Sequence, residues 1–184
     1  LMMAAVTADG VSVIDNAARE PEIADLAAFL VAMGAGIHGA GSATIEVEGV
    51  ETLRPAEHTA ICDRIEAGTW AAAAVATRGD VVLDGARPEQ LELLLEKLGE
   101  GGAEIRRTDD GLRVRQPERS RAADFVTLPY PGIATDFQPI LLAMLSTASG
   151  TSGKPRPSIR SMTPSFFAPT FGSPLPVFAS RMPM

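Results

Sequence analysis

The sequence predicts an α/β fold built from a repeated strand-helix-strand-strand unit, and three observations carry that expectation. The stretch "GVSVIDNAAREPEIADLAAFLVAMGAGIHGAGSATIEVEGV" aligns with "RGDVVLDGARPEQLELLLEKLGEGGAEIRRTDDGLRVRQ" at a period of about 68 residues. Each copy opens on an aliphatic, β-branched run after a glycine and then a turn, which is how strands are punctuated. Each then has a proline-led segment with an apolar stripe at helical spacing, ending in Gly-Ala-x-Ile.

In the first copy, residues 11–14 read as a strand and Asp15-Asn16-Ala17 as a turn. Pro21-Glu22 starts a helix, because proline's missing N–H is harmless in the first turn. Ile23, Leu26, Ala27, Leu30 and Met33 form its apolar face, and Gly34-Ala35 ends it. A polar hairpin and a closing strand over residues 44–47 complete the unit. Next comes "CDRIEAGTWAAAAVATRG", an alanine-rich helix whose small side chains allow close helix approach, so it is expected to be buried. The second copy has a strand at 81–83, a turn at Asp84-Gly85-Ala86, and a helix starting at Pro88-Glu89 with Leu91, Leu94, Leu95 and Leu98 on one face. It ends at Gly102-Ala103, with a closing strand at 112–115. "TDFQPILLAMLSTASGTS" then matches the alanine-rich helix, so the repeat calls for a strand after Gly150, but the chain runs instead into Gly153-Lys154-Pro155-Arg156-Pro157 and the third unit is expected to be cut off there.

Thr135-Asp136 stands where a proline- and glycine-rich loop becomes this last apolar run. The structural reading is a helix cap, since both residue types accept from orphan amides and an acid suits the helix dipole. The functional reading needs more than this segment.

The 184 residues hold 23 acids and 16 bases, a formal charge of −7, which argues against a general nucleic-acid-binding surface. The single cysteine, Cys62, excludes an internal disulfide framework and fits a reducing compartment, so a cytoplasmic location is expected. No apolar run reaches the ~18 residues of a membrane span. From Gly153 onward the composition changes. Residues 153–184 contain no acid, four bases and half of the 14 prolines, which leaves about −11 on the body before them. Proline removes backbone donors and breaks helices, so regular structure is expected to be sparse there, with no strand equivalent to residues 81–83 and poor packing.

"NAAREPEI", "DRIEAGT" and "PGIATDFQP", in this order, resemble the enolpyruvyl transferases, most closely the UDP-N-acetylglucosamine 1-carboxyvinyltransferases. The sister family, the enolpyruvylshikimate phosphate synthases, typically carries a P-D-A-A type motif where this chain has Thr135-Asp136-Phe137-Gln138. The resemblance covers about residues 1–152. It implies an α/β fold of inside-out α/β barrel repeats of the enolpyruvyl transferase (EPSP synthase-like) type, with helices inside, sheets outside, and substrates in a cleft between two domains. On this reading residues 1–55 end the first domain, 56–152 begin the second, and 153–184 are a proline-rich tail foreign to the family.

The activity implied by the resemblance is transfer of the enolpyruvyl group of phosphoenolpyruvate to the 3-hydroxyl of UDP-N-acetylglucosamine, a step of peptidoglycan precursor synthesis. No cofactor, metal, nucleic acid or membrane is expected to take part. The family's T-D-x-Q aspartate takes the hydroxyl proton, and Asp136 matches it, with Thr135 beside it in the substrate-binding motif. The family's early lysine and asparagine, its cysteine loop and its short nucleotide-binding run precede the matching stretch. The expected object is therefore an internal piece, inactive alone, whose reading frame changed near Ser152. The alternatives are a non-catalytic α/β-repeat binding module and a fragment of the shikimate enzyme.

Other residues read as structural. Cys62 is expected to be small and buried, and Arg19, Glu20 and Glu22 to cap and pair at a helix start. Asp63, Arg64 and Glu66 sit at the domain crossing and are candidates for coupling the two lobes. His38 and His58 show no metal-ligand spacing. The glycines of "GAGIHGAG" close a helix instead of opening one, so they do not form a phosphate loop.

Overall fold

The computed structural model describes residues 1–150. The expected break in the repeat after Gly150, and the sparse structure and poor packing expected of residues 153–184, lie outside the described residues.

A short helix α1 (Met2–Ala5) precedes the first unit, which comprises β1 (Val11–Asp15), α2 (Pro21–Ala32), β2 (Gly36–His38) and β3 (Thr44–Glu48). The connector 49–63 contains no helix or strand. Helix α3 (Arg64–Thr77) follows, then the second unit: β4 (Asp80–Asp84), α4 (Glu92–Glu100), β5 (Glu104–Thr108) and β6 (Gly111–Arg115). A long loop leads to α5 (Phe137–Ser146).

The two units have the same topology. Their sheets run β1-β3-β2 and β4-β6-β5, and every pairing is antiparallel. In both, the last strand inserts between the two strands that the helix connects. Val11 pairs with Glu48 and Asp15 with Thr44 in one sheet, Asp80 with Arg115 and Asp84 with Gly111 in the other. The central strands bury alternate residues, Ile45 and Val47 against Leu112 and Val114, because side chains alternate between faces of a strand.

The helix ends are equivalent as well. Gly34 and Gly102 have φ of +105° and +101°, a region that costs an L side chain energy and glycine little. The next amide in each case reaches back into the helix: Ala35 to the Leu30 carbonyl at 3.0 Å, Ala103 to the Leu98 carbonyl at 3.1 Å. These bonds satisfy carbonyls that the helix end leaves orphaned.

The helix starts differ, and here the sequence expectation needs correction. Helix α2 begins at Pro21 as expected. In the second unit Pro88–Gln90 is a 3-10 turn, closed by Gln90 to Arg87 and Leu91 to Pro88 bonds of 3.0 Å, and the α-helix starts only at Glu92. Leu91 leaves the helical region, with φ −127° and ψ 11°, and its side chain is buried. Core burial of a leucine outweighs the small preference for a continuous helix.

Two apolar clusters result. One gathers α1, α2 and the inner faces of β2 and β3 around Leu30, Ile45 and Val47. The other gathers α3, α4, β6 and α5 around Ala71, Leu94, Leu98, Leu112, Phe137 and Leu141. Helices α3 and α5 lie inside, while the outer sheet faces leave Val11, Val13 and Val82 exposed. Helices within and sheets without is the expected arrangement. Close approach of α3 and α5 occurs at Gly68, where an added Cβ would run into the Phe137 ring and come within 2.8 Å of Leu94. The alanine-rich helix is buried along one face as expected, with Ala71, Ala72 and Ala74 buried and Ala73 half-buried.

Candidate active site at the entrance to helix α5

The loop after β6 is ordered by its own backbone. Gln116 is buried and donates from Nε2 to the Glu118 carbonyl at 2.9 Å. Ser149 donates to the Ser120 carbonyl at 2.7 Å and accepts from Ala122 at 2.9 Å, which ties the far end of α5 to the start of the loop. Further along, Thr127 bridges Ile133, Leu128 donates to the Ile133 carbonyl at 2.9 Å, and Gly132 to that of Pro129 at 2.8 Å. The small closed loop so formed sinks Ile133 into the core and delivers Thr135 and Asp136 to the surface.

Asp136 precedes α5 but does not cap it. Its backbone is already helical, with φ −60° and ψ −28°, and its carboxylate accepts no cap hydrogen bond. A cap accepts from the second or third helical amide. The second, on Gln138, donates to the Thr135 carbonyl at 2.9 Å, and the third position is Pro139, which has no N–H. The Phe137 amide donates to the Ala134 carbonyl at 3.1 Å. Backbone turns and a proline therefore leave the carboxylate nothing to cap, and the capping expectation for Thr135-Asp136 is corrected.

The equivalent residue of α3 behaves in the opposite way. Asp63 is extended, with φ −69° and ψ 110°, and accepts from the amides of Ile65 at 2.7 Å and Glu66 at 3.1 Å. Two aspartates at corresponding helix starts thus have different duties. One is committed to the fold, and the other faces solvent.

The neighbouring charged residues divide likewise. Arg64, only 7% exposed, donates from Nε to Glu22 Oε1 at 2.8 Å. Its guanidinium carbon lies 5.5 Å from the centroid of the Tyr130 ring. Residues from separate motifs, the α2 start and the α3 start, thus meet through Arg64. His58 adds a second tie to α2, 3.1 Å from Asp25 Oδ1 and stacked on Phe29. Glu66 is exposed, as is Arg19. Glu20 precedes α2 without a side-chain cap bond. Cys62 is half-buried instead of buried: it sits on the connector, where a Cβ on Gly85 would be 3.9 Å from its sulfur. Reading the sequence missed Tyr130 and Gly68, which touch Arg64 and Phe137. Pro139 was the one sequence signal against a cap.

Residues 1–154 match the profile of the family described as EPSP synthase (3-phosphoshikimate 1-carboxyvinyltransferase). The chain belongs to this family. Within it, the curated relatives it resembles are named UDP-N-acetylglucosamine 1-carboxyvinyltransferase. That of Corynebacterium jeikeium is 53% identical over 152 residues, covering 83% of this chain and 36% of that protein. That of Mycobacterium leprae is 50% identical over 152 residues, with the same coverage. The solved structure of the enolpyruvyl transferase NikO from Streptomyces tendae superposes with a TM-score of 0.64 at 26% identity, covering 82% of this chain and 36% of that one. The chain spans about a third of the length of the curated relatives it matches.

Proposed function

We propose that this chain is the part of a UDP-N-acetylglucosamine 1-carboxyvinyltransferase that carries the proton-accepting aspartate, Asp136. The whole enzyme moves the enolpyruvyl group of phosphoenolpyruvate to the 3-hydroxyl of UDP-N-acetylglucosamine for peptidoglycan precursor synthesis in the cytoplasm. The observation that carries the reading is the exposed, uncapping carboxylate of Asp136 inside a T-D-F-Q motif. A hydroxyl nucleophile must shed its proton as its oxygen bonds to the enolpyruvyl carbon, and phosphate leaves. A carboxylate within hydrogen-bond reach accepts that proton. Thr135, beside it, belongs to the substrate-binding face. Residues 1–55 then end one domain and 56–152 begin the next, with 153–184 a tail outside the family pattern.

One positioned base contributes about 10²- to 10⁴-fold and does not replace lost substrate binding, so the isolated chain is expected to show no transfer. The test is a chimera in which residues 1–152 replace the matched 152 residues of the Corynebacterium jeikeium protein. Phosphate release is expected with UDP-N-acetylglucosamine and none with shikimate 3-phosphate as acceptor. Preference for shikimate 3-phosphate would assign the chain to the sister activity. No release with either acceptor from a folded chimera would favour the binding-module reading.

A further inference from the structure

We infer that Arg64 is a positioning residue for Asp136: it clamps the loop that delivers the aspartate and links that loop to helix α2 of the first unit. The inference rests on the reading of Asp136 given above, yet its geometry is independent of any substrate. Arg64 opens α3, and its first turn is fixed by the Asp63 cap. Its nearly buried guanidinium is bonded to Glu22 of α2 at 2.8 Å and lies over the Tyr130 ring. A cation over an aromatic face is attracted by the ring quadrupole, more strongly where water is excluded. A buried charge must also keep its partner, so the position of Tyr130 is tied to that of α2.

The same face of α3 holds the other end of the segment. Gly68 lies four residues after Arg64, one turn along the helix, and its missing side chain admits the Phe137 ring. Arg64 and Phe137 line one narrow cleft together with Pro131, Gly132 and Ile133. Thr135 and Asp136 therefore sit between two anchors, Tyr130 and Phe137, both seated on a single stripe of α3. A shift of α2 that pulls on Glu22 would move Arg64, release Tyr130 and loosen the turn at Asp136.

The test uses the full 184-residue chain without substrate, so its failure is separate from failure of the transferase reading. In NMR spectra the Arg64 Nε–H signal is expected to be slow to exchange and shifted by the Tyr130 ring current. Glu22→Gln and Tyr130→Leu should each accelerate exchange of the Leu128, Gly132, Phe137 and Gln138 amides by about tenfold, while α4 amides keep their rates. Tyr130→Phe should keep both the shift and the protection, because the ring face and not the hydroxyl meets the Arg64 guanidinium. Arg64→Met is the direct variant but risks unfolding, so Glu22→Gln and the Tyr130 pair decide the matter. If Glu22→Gln frees the Arg64 Nε–H while the four loop amides keep wild-type exchange, Arg64 does not position Asp136 and the inference fails.

Discussion

At the scale of single residues, Asp63 and Asp136 make opposite predictions from the same residue type. Asp63→Ala removes a side-chain acceptor from two amides and should lower stability by about 0.5 to 2 kcal/mol. Asp136→Ala removes no cap bond and should stay within about 0.5 kcal/mol of the parent, as exposed substitutions do. Urea unfolding of both variants checks this, and equal losses would restore the cap. The difference was legible in "TDFQP", because a proline at the third helical position leaves a cap without its donor; the backbone turns that satisfy Phe137 and Gln138 were not legible. A second residue-scale prediction concerns pH. Arg113 hydrogen-bonds Asp80 from Nε at 2.7 Å, and this bond, with the charges of Arg113 and Arg115, holds the Asp80 carboxyl below its ordinary 3.8. A folded-state pKa below the unfolded one means the pair's contribution is present above the unfolded value and is lost as pH falls through the folded value. Titration by NMR should find Asp80 below 3.8 and show it rising in Arg113→Gln. The same pKa in both proteins would contradict the pairing.

At the scale of elements, the two units behave as copies where the backbone imposes the requirement. Gly34→Ala and Gly102→Ala force a side chain into positive φ at equivalent helix ends, and each should cost about 1 kcal/mol or somewhat more. Thermal unfolding of the pair should give similar losses; a large loss at only one site would mean the ends are not equivalent. Strand periodicity and glycine-terminated apolar stripes made these units readable, since periods of two and 3.6 leave direct marks in sequence. The start of α4 was not readable. Pro88-Glu89 and Pro21-Glu22 look alike, and only the burial of Leu91 turns the former into a 3-10 turn. The α3–α5 contact was also hidden, because its closest point is one glycine meeting a phenylalanine about 70 residues away in the sequence. Gly68→Ala should overpack that contact and cost about 1 to 3 kcal/mol, with altered Phe137 ring signals as the local readout.

At the scale of the whole molecule, the described residues form two apolar clusters, and the Glu22–Arg64 pair links a helix of one to a helix of the other. This chain spans 36% of the length of its curated relatives, and the candidate base sits at the entrance to its last described helix. A working site needs groups that a single carboxylate does not supply. Asp136 is proposed to serve chemistry and not the fold. The most direct test measures turnover per folded molecule and melting temperature together, for the chimera with the Corynebacterium jeikeium protein and for its Asp136→Asn variant. Turnover is expected to fall by about 10²- to 10⁴-fold with the melting temperature unchanged, because the amide keeps the carboxylate's shape but does not accept the hydroxyl proton. Unchanged turnover with a lowered melting temperature would contradict the proposal.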